Sequence, residues 1–139
     1  MIDRKALTMA DVQAMAAAVT AAAAAEGWSP TLAICDDGGH LWWLQRWDGA
    51  SPITIDFAIA KARTAALGRY PTQIFEALIN GGRVAMLSLP GAQGAVEGGV
   101  PIVVDGIVIG AVAVSGLMNS ADDRRLCEVA IAALHAAAG

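Results

Sequence analysis

Few residues in this chain could do chemistry, and they are scattered. His40 and His135 are the only two histidines. His40 follows Gly39 at the foot of a strand, where an imidazole titrating near neutrality could ligate iron or act as a general acid–base. A surface turn position is the blander reading. His135 falls on the polar side of the last helix and reads as solvated. Glu97 stands between Val96 and the pair Gly98-Gly99, where an acid beside exposed backbone amides could form a small polar site and move a proton. Lys61 and Arg63 sit two residues apart on a helix and read as lying on its outer side. A pocket there would let them hold a carboxylate, arginine in a bidentate manner. Trp42, Trp43 and Trp47 are three of the four tryptophans. They suit core packing, or the wall of a pocket for a flat ligand, with Trp43 the candidate contact.

Familiar catalytic signatures are absent. The glycine-rich stretch lacks the G-x-x-x-x-G-K-[ST] pattern of a phosphate-binding loop. In Gly94-Ala95-Val96-Glu97-Gly98 a glutamate takes the place of the serine of a nucleophile elbow. Neither histidine has a Glu or His spaced to complete a zinc site, so no metal is expected. Cys35 and Cys127 also lack metal-ligand spacing, suit a reducing cytoplasmic setting, and read as small buried hydrophobes.

The elements that must position these groups are organised around residues 94–116. Two apolar runs, Ile102–Val104 and Ile107–Val114, flank Asp105-Gly106, a strong signal for a tight hairpin because both turn residues adopt positive φ. The second run is apolar on both faces and reads as a central strand. Upstream, Thr8 caps a helix from Met9 to Glu26, with Asp11 at its third position, Leu7 and Val12 placed as a staple, and Gly27 as the stop. Thr31–Cys35 and His40–Arg46 form a second hairpin. Ile53–Leu67 is a helix with inner residues Ile55, Ala58, Ile59, Ala62 and Ala66. Pro71–Leu78 reads as a short helix and Arg83–Leu87 as a strand. Ser120, with Asp123 three residues on, caps the last helix, Ala121–Ala138, which places Leu126, Val129, Ala130, Ala133, Leu134 and Ala137 on one face. Hairpins rather than strand–helix–strand crossovers dominate, giving an α+β domain with an antiparallel sheet.

Composition narrows the class. The 139 residues are enough for a single domain, 1–139, with a real core. Apolar residues make up 56% and charged residues 16%, which excludes disorder and makes an oligomer credible. A net charge of −4 argues against nucleic acid as a partner. The alanine-rich run Ala14–Ala25 is too short to cross a membrane and reads as part of a helix, not an export signal.

Several stretches together resemble the GlcG/HbpS family, which includes the C-terminal domain of PduO adenosyltransferases. They are Asp36-Asp37-Gly38-Gly39-His40-Leu41, Arg46-Trp47-Asp48-Gly49-Ala50, Ala60-Lys61-Ala62-Arg63-Thr64-Ala65 and Gly98-Gly99-Val100-Pro101-Ile102. The match continues through Asp105-Gly106, Val108-Ile109-Gly110-Ala111-Val112, Val114-Ser115-Gly116 and Asp122-Asp123. It spans nearly the whole chain in order. The resemblance implies a profilin-like domain, an antiparallel five-stranded sheet with helices packed on it, assembled into oligomers. It also implies a small-molecule ligand, with heme the candidate cofactor.

The resulting expectation is a cytoplasmic homo-oligomer that binds heme or another planar or carboxylated ligand. His40, Lys61, Arg63, Trp43, Gly98 and Gly99 are the expected contacts. The alternative is a cofactor-free enzyme of aromatic or hydroxy-acid catabolism, resembling a 4-hydroxylaminobenzoate lyase, with Glu97 and His40 moving protons. The low charge content and the outward Phe57 predict an oligomer. Light scattering at micromolar concentration checks this, and a monomer there refutes it.

Overall fold

The computed structural model describes residues 1–139. The elements in chain order are α1 (Met9–Glu26), β1 (Thr31–Asp36), β2 (Leu41–Arg46), α2 (Thr54–Gly68), α3 (Thr72–Asn80), β3 (Gly99–Val104), β4 (Ile107–Ser115) and α4 (Ser120–Ala138). The four strands form one antiparallel sheet in the order β2-β1-β4-β3. Helices α1 and α4 cover one face and α2 the other.

Local chemistry fixes the ends of these elements. Thr8 Oγ1 accepts from the Asp11 amide at 3.2 Å, and the Asp11 carboxylate accepts from the Thr8 amide at 2.8 Å, a closed capping box. Gly27 ends α1 in the left-handed region. Asp105 and Gly106 turn the β3–β4 hairpin with φ of 52° and 76°, as a two-residue turn of this kind requires. Strand β4 pairs on both edges and its residues Ile109–Ser115 are all buried, so it is the central strand its apolar run implies. Pro101 lies in β3, an edge strand that tolerates the missing N–H.

The two faces are packed with residues of different size. Leu32, Ile34, Ile102, Val112 and Val114 meet Val12, Met15 and Val19 of α1 and Leu126 and Leu134 of α4 in the main core. On the other face Ala33, Cys35, Ala111 and Ala113 meet Ala58, Ala62, Ala65 and Ala66 of α2. Side chains this short let the α2 backbone approach closely, and Gly99 shows how closely. A Cβ there would sit 2.6 Å from the Lys61 carbonyl oxygen.

Three expectations need correction. The sheet has four strands, not five. Residues 83–87 are not a strand: Val84–Ser88 is a 3₁₀ turn closed by i→i+3 bonds such as Leu89 N–H to the Met86 carbonyl. Val84 and Leu87 are exposed, so the apolar residues of this segment bury no face against the sheet. Asn119, not Ser120, caps α4, its Oδ1 accepting from the Ala121 amide at 3.0 Å.

Leu126 is 1% exposed at the centre of the larger core. Leu126→Ala should therefore cost about 2–5 kcal/mol, read as a lower urea midpoint with an unchanged slope.

Candidate functional site

The inner face of α2 carries a charge. Lys61 lies three residues after Ala58 and four before Ala65, so helical spacing places it on the alanine stripe and not on the outer side that sequence reading assigned. Its side chain is 6% exposed. Lys61 Nζ donates to the Val114 carbonyl at 3.1 Å and stands 3.4 Å from Asp123 Oδ2. Asp123, in the first turn of α4, accepts from the Leu117 amide at 3.2 Å through its other oxygen. One buried ion pair thus joins α2, β4 and α4.

At 3.4 Å the pair is longer than a close charge-assisted hydrogen bond. Burial accordingly outweighs the attraction of Lys61 and pushes the Asp123 carboxyl up from 3.8 to about 6. Burial also raises both thiols, Cys35 to about 12, so neither cysteine is a thiolate at neutral pH. Cys127 donates instead to the Gly98 carbonyl at 3.2 Å.

The pair forms part of the wall of a cleft of about 630 Å³. The first turns of α2 and α4 both border it, through Thr54 and Phe57 and through Ser120 and Asp123. Phe57, Val96 and Met118 supply exposed apolar surface at its edge. A lysine and two helix N-termini beside apolar surface suit a molecule with an apolar body and a carboxylate.

The residues singled out from sequence do not converge. Gly98 and Gly99 lie behind Lys61. A Cβ at Gly98 would come within 2.7 Å of Lys61 Nζ, so this glycine makes room for the ammonium, and Gly99 binds Thr72 Oγ1 through its amide at 2.9 Å. Glu97 is nearby, 3.3 Å from Arg124 and 3.5 Å from Ser120 Oγ. His40 and Arg63 belong to the opposite end of the sheet, roughly 16 Å away along the length of β1. There Arg63 donates to the Gly39 carbonyl at 2.9 Å. Trp43 is half-buried against the main core, on the far face of the sheet from Lys61, and its Nε1 donates to Gln45 at 3.1 Å.

Heme needs an accessible donor for its iron. The cleft walls carry no histidine, cysteine or tyrosine, and their one heme-type donor is the exposed Met118 thioether, a weak ligand, so the cleft suits a carboxylate better than a metal. His40 does fit. Its ring is 78% exposed, and Nδ1 lies 3.2 Å from Asp36, which leaves Nε2 free to ligate. Although burial opposes it, the amides of His40 and Gly38 and the His40 ring hold the Asp36 carboxyl below the usual range. Arg63 and Arg69, bonded to the Gly39 and Asp37 carbonyls, are the nearby cations for propionates.

Asp123 is the site residue that the sequence does not single out; its place three residues after Ser120 suggests only a capping role, whereas in the structure its carboxylate takes Lys61 and the Leu117 amide. The available signal was its register. It precedes Leu126, Cys127, Ala130 and Leu134 by 3, 4, 7 and 11 positions, an acid on the apolar stripe.

Fold and site together define an α+β class of domain, with a four-stranded antiparallel sheet between helical layers and a cleft at one end of the sheet. The family model described as "Haem degrading protein HbpS-like" matches residues 7–132, and the chain belongs to the HbpS-like family. It is 49% identical to Protein GlcG of Escherichia coli (strain K12) over 107 residues, covering 74% of this chain and 79% of that protein. The crystal structure of Klebsiella pneumoniae protein ORFY superposes with a TM-score of 0.89 at 27% identity, covering 98% of this chain and 95% of that one. A crystal structure of a PduOC–heme complex superposes with a TM-score of 0.80 at 26% identity, covering 93% and 95%. No helix is long and apolar enough to cross a membrane.

Removing one partner of the buried pair isolates the other. Lys61→Met should cost about 3–5 kcal/mol at pH 8, where Asp123 is left ionised and unpaired. The cost should shrink at pH 5. The folded-state value of Asp123 lies above 3.8, so the native state binds the extra proton, and its stability contribution falls as pH rises from about 4 to about 6. Urea unfolding at the two pH values measures the difference. An equal loss at both would show that Asp123 is not the group left behind.

Proposed function

We propose that this protein binds a small planar, carboxylated molecule in the cleft beside Lys61 and Asp123. The observation that carries the reading is the buried lysine in the wall of a cleft whose volume lies in the range of small-molecule sites. Phe57, Val96 and Met118 would contact the flat apolar part of the ligand, and Lys61 its carboxylate. Heme, a planar dicarboxylate, is the candidate favoured by the family description and by the heme complex of the PduOC relative. Within the cleft only the Met118 thioether could reach its iron; a stronger donor would come from outside, and His40 is the residue whose free nitrogen and neighbouring arginines suit it. A homo-oligomer in which one subunit's His40 approaches another's cleft would bring the two ends together.

The catalytic alternative also changes residue. Glu97 is held by Arg124 and Ser120, whereas the Asp123 carboxyl, raised to about 6 by burial, exchanges its proton close to neutral pH and borders the cleft, so Asp123 is the better proton carrier for a cofactor-free reaction on an aromatic or hydroxy acid.

The test is titration with hemin, followed through the Soret band, alongside a thermal-shift screen of aromatic and 2-hydroxy acids. Two surface variants read out location: Phe57→Asp puts a negative charge at the cleft, and His40→Ala removes the exposed imidazole. Saturable binding weakened at least tenfold by Phe57→Asp is the expected result. Binding lost only in His40→Ala would move the ligand to the other end of the sheet. No saturable binding of hemin or any acid would refute a ligand-binding role.

A further inference from the structure

A ligand anion approaching Lys61 meets a cation that already has a counter-ion. Lys61 Nζ uses one hydrogen on the Val114 carbonyl and directs another at Asp123 Oδ2, leaving a third for a ligand in the cleft. The pair as it stands is neutral. Adding a carboxylate beside it would place two negative charges around one ammonium in a site largely withdrawn from water, where like charges at hydrogen-bonding range repel strongly. The resolution that costs least is for one carboxylate to become neutral.

Asp123 is the group placed to do so. Its surroundings supply one cation and few donors: Lys61 from α2, the Leu117 amide from the β4–α4 loop, and Asp122 and Cys127 from its own helix. Strand β4 contributes only the Val114 carbonyl to the group. The nearest further ions, Glu97 and Arg124, pair with each other beside Ser120 and cancel. The lysine, one amide and its place in the first turn of α4 hold Asp123 in its charged form, and a ligand carboxylate would compete for the lysine, the strongest of these.

We infer that the cleft takes up its carboxylate ligand together with one proton, which goes to Asp123, so that the ligand replaces Asp123 as the counter-ion of Lys61. The inference rests on the cleft being the ligand site. The balance is simple: the ligand arrives as an anion, Asp123 passes from carboxylate to carboxylic acid, the proton comes from solvent, and net charge within the site is conserved. The starting state is favourable, since burial already raises Asp123 to about 6 before any ligand is present. Neutral analogues of the same shape bring no charge and draw no proton. The cleft would thus distinguish a carboxylate from its amide by pH dependence as well as by affinity.

The experiment uses the full chain with benzoate as probe, which stays ionised between pH 6 and pH 8, and benzamide as its neutral counterpart. Isothermal titration in phosphate and in Tris, whose ionisation enthalpies differ, counts the protons taken up. The expected result is close to one proton per benzoate near pH 7.5 and none per benzamide. Benzoate affinity should fall by up to about tenfold per pH unit above the Asp123 value. Asp123→Asn should abolish both the proton uptake and the pH slope. Should that variant not fold, the two-buffer measurement on the unaltered protein still decides. Benzoate binding without proton uptake overturns the coupling and leaves the cleft reading standing. Absence of saturable benzoate binding at every pH overturns this inference, while the hemin and acid titrations decide the cleft reading separately.

Discussion

The closeness of α2 to the sheet is the constraint on which the remaining structure depends. Ala33, Cys35, Ala111 and Ala113 offer almost no side-chain height, and Ala58, Ala62, Ala65 and Ala66 answer with equally little. A layer this thin gives limited hydrophobic stabilisation per residue, because little apolar area leaves water at each contact. The larger core on the opposite face, with its Val, Leu, Ile and Met side chains, carries most of that term. What the thin layer supplies is reach. From a helix seated this low, a lysine can extend along the sheet to the Val114 carbonyl and on to Asp123 at the start of α4. A bulkier layer would hold Lys61 too far out to make either contact.

The same closeness explains the glycines at the start of β3. The chain entering β3 passes over the α2 backbone at Lys61, and Thr72 Oγ1 binds Gly99 where it crosses. Gly98 has φ of +123° and leaves its missing Cβ as space for the ammonium. These residues are placed by packing against α2 and Lys61, and their contribution to a binding site is indirect: they set where the charge sits. Glu97 is turned by the same crossing toward Arg124 and away from Lys61.

Legibility in the sequence followed the range of the interactions. The α1 cap, its glycine stop, the Asp105-Gly106 turn and the centrality of β4 depend on neighbours a few residues apart, and each was readable. Val84–Ser88 misled because its apolar residues suggest burial, whereas Val84 and Leu87 remain exposed on a 3₁₀ turn. Lys61 and Asp123 are 62 positions apart, and no local pattern connects them. Each nevertheless interrupts an apolar helical stripe, one as a cation and the other as an anion. Two helices each burying one charge of opposite sign is a signal that strict attention to register would have caught. Reading a lysine as outward by residue type, against its own periodicity, is what hid the site.

The separation of His40 from Lys61 has a physical origin as well. Helix α2 spans the distance: its first turn borders the cleft and its Arg63 meets Gly39 at the other end, so one helix serves both ends of the sheet. Side chains on a helix lean toward its N-terminus, which sends Lys61 toward the cleft. Arg63, on the flank of the helix, is drawn the other way by the Gly39 carbonyl. Two cations two positions apart are thereby committed to different surroundings: one is buried and balanced by a single carboxylate, the other exposed at the Gly39 turn. A ligand that used only Lys61 would be governed by the protonation of Asp123. One that used His40 and Arg63 would meet an open surface, where salt and solvent screen each contact. The buried end would therefore discriminate among small acids far more sharply than the exposed end could.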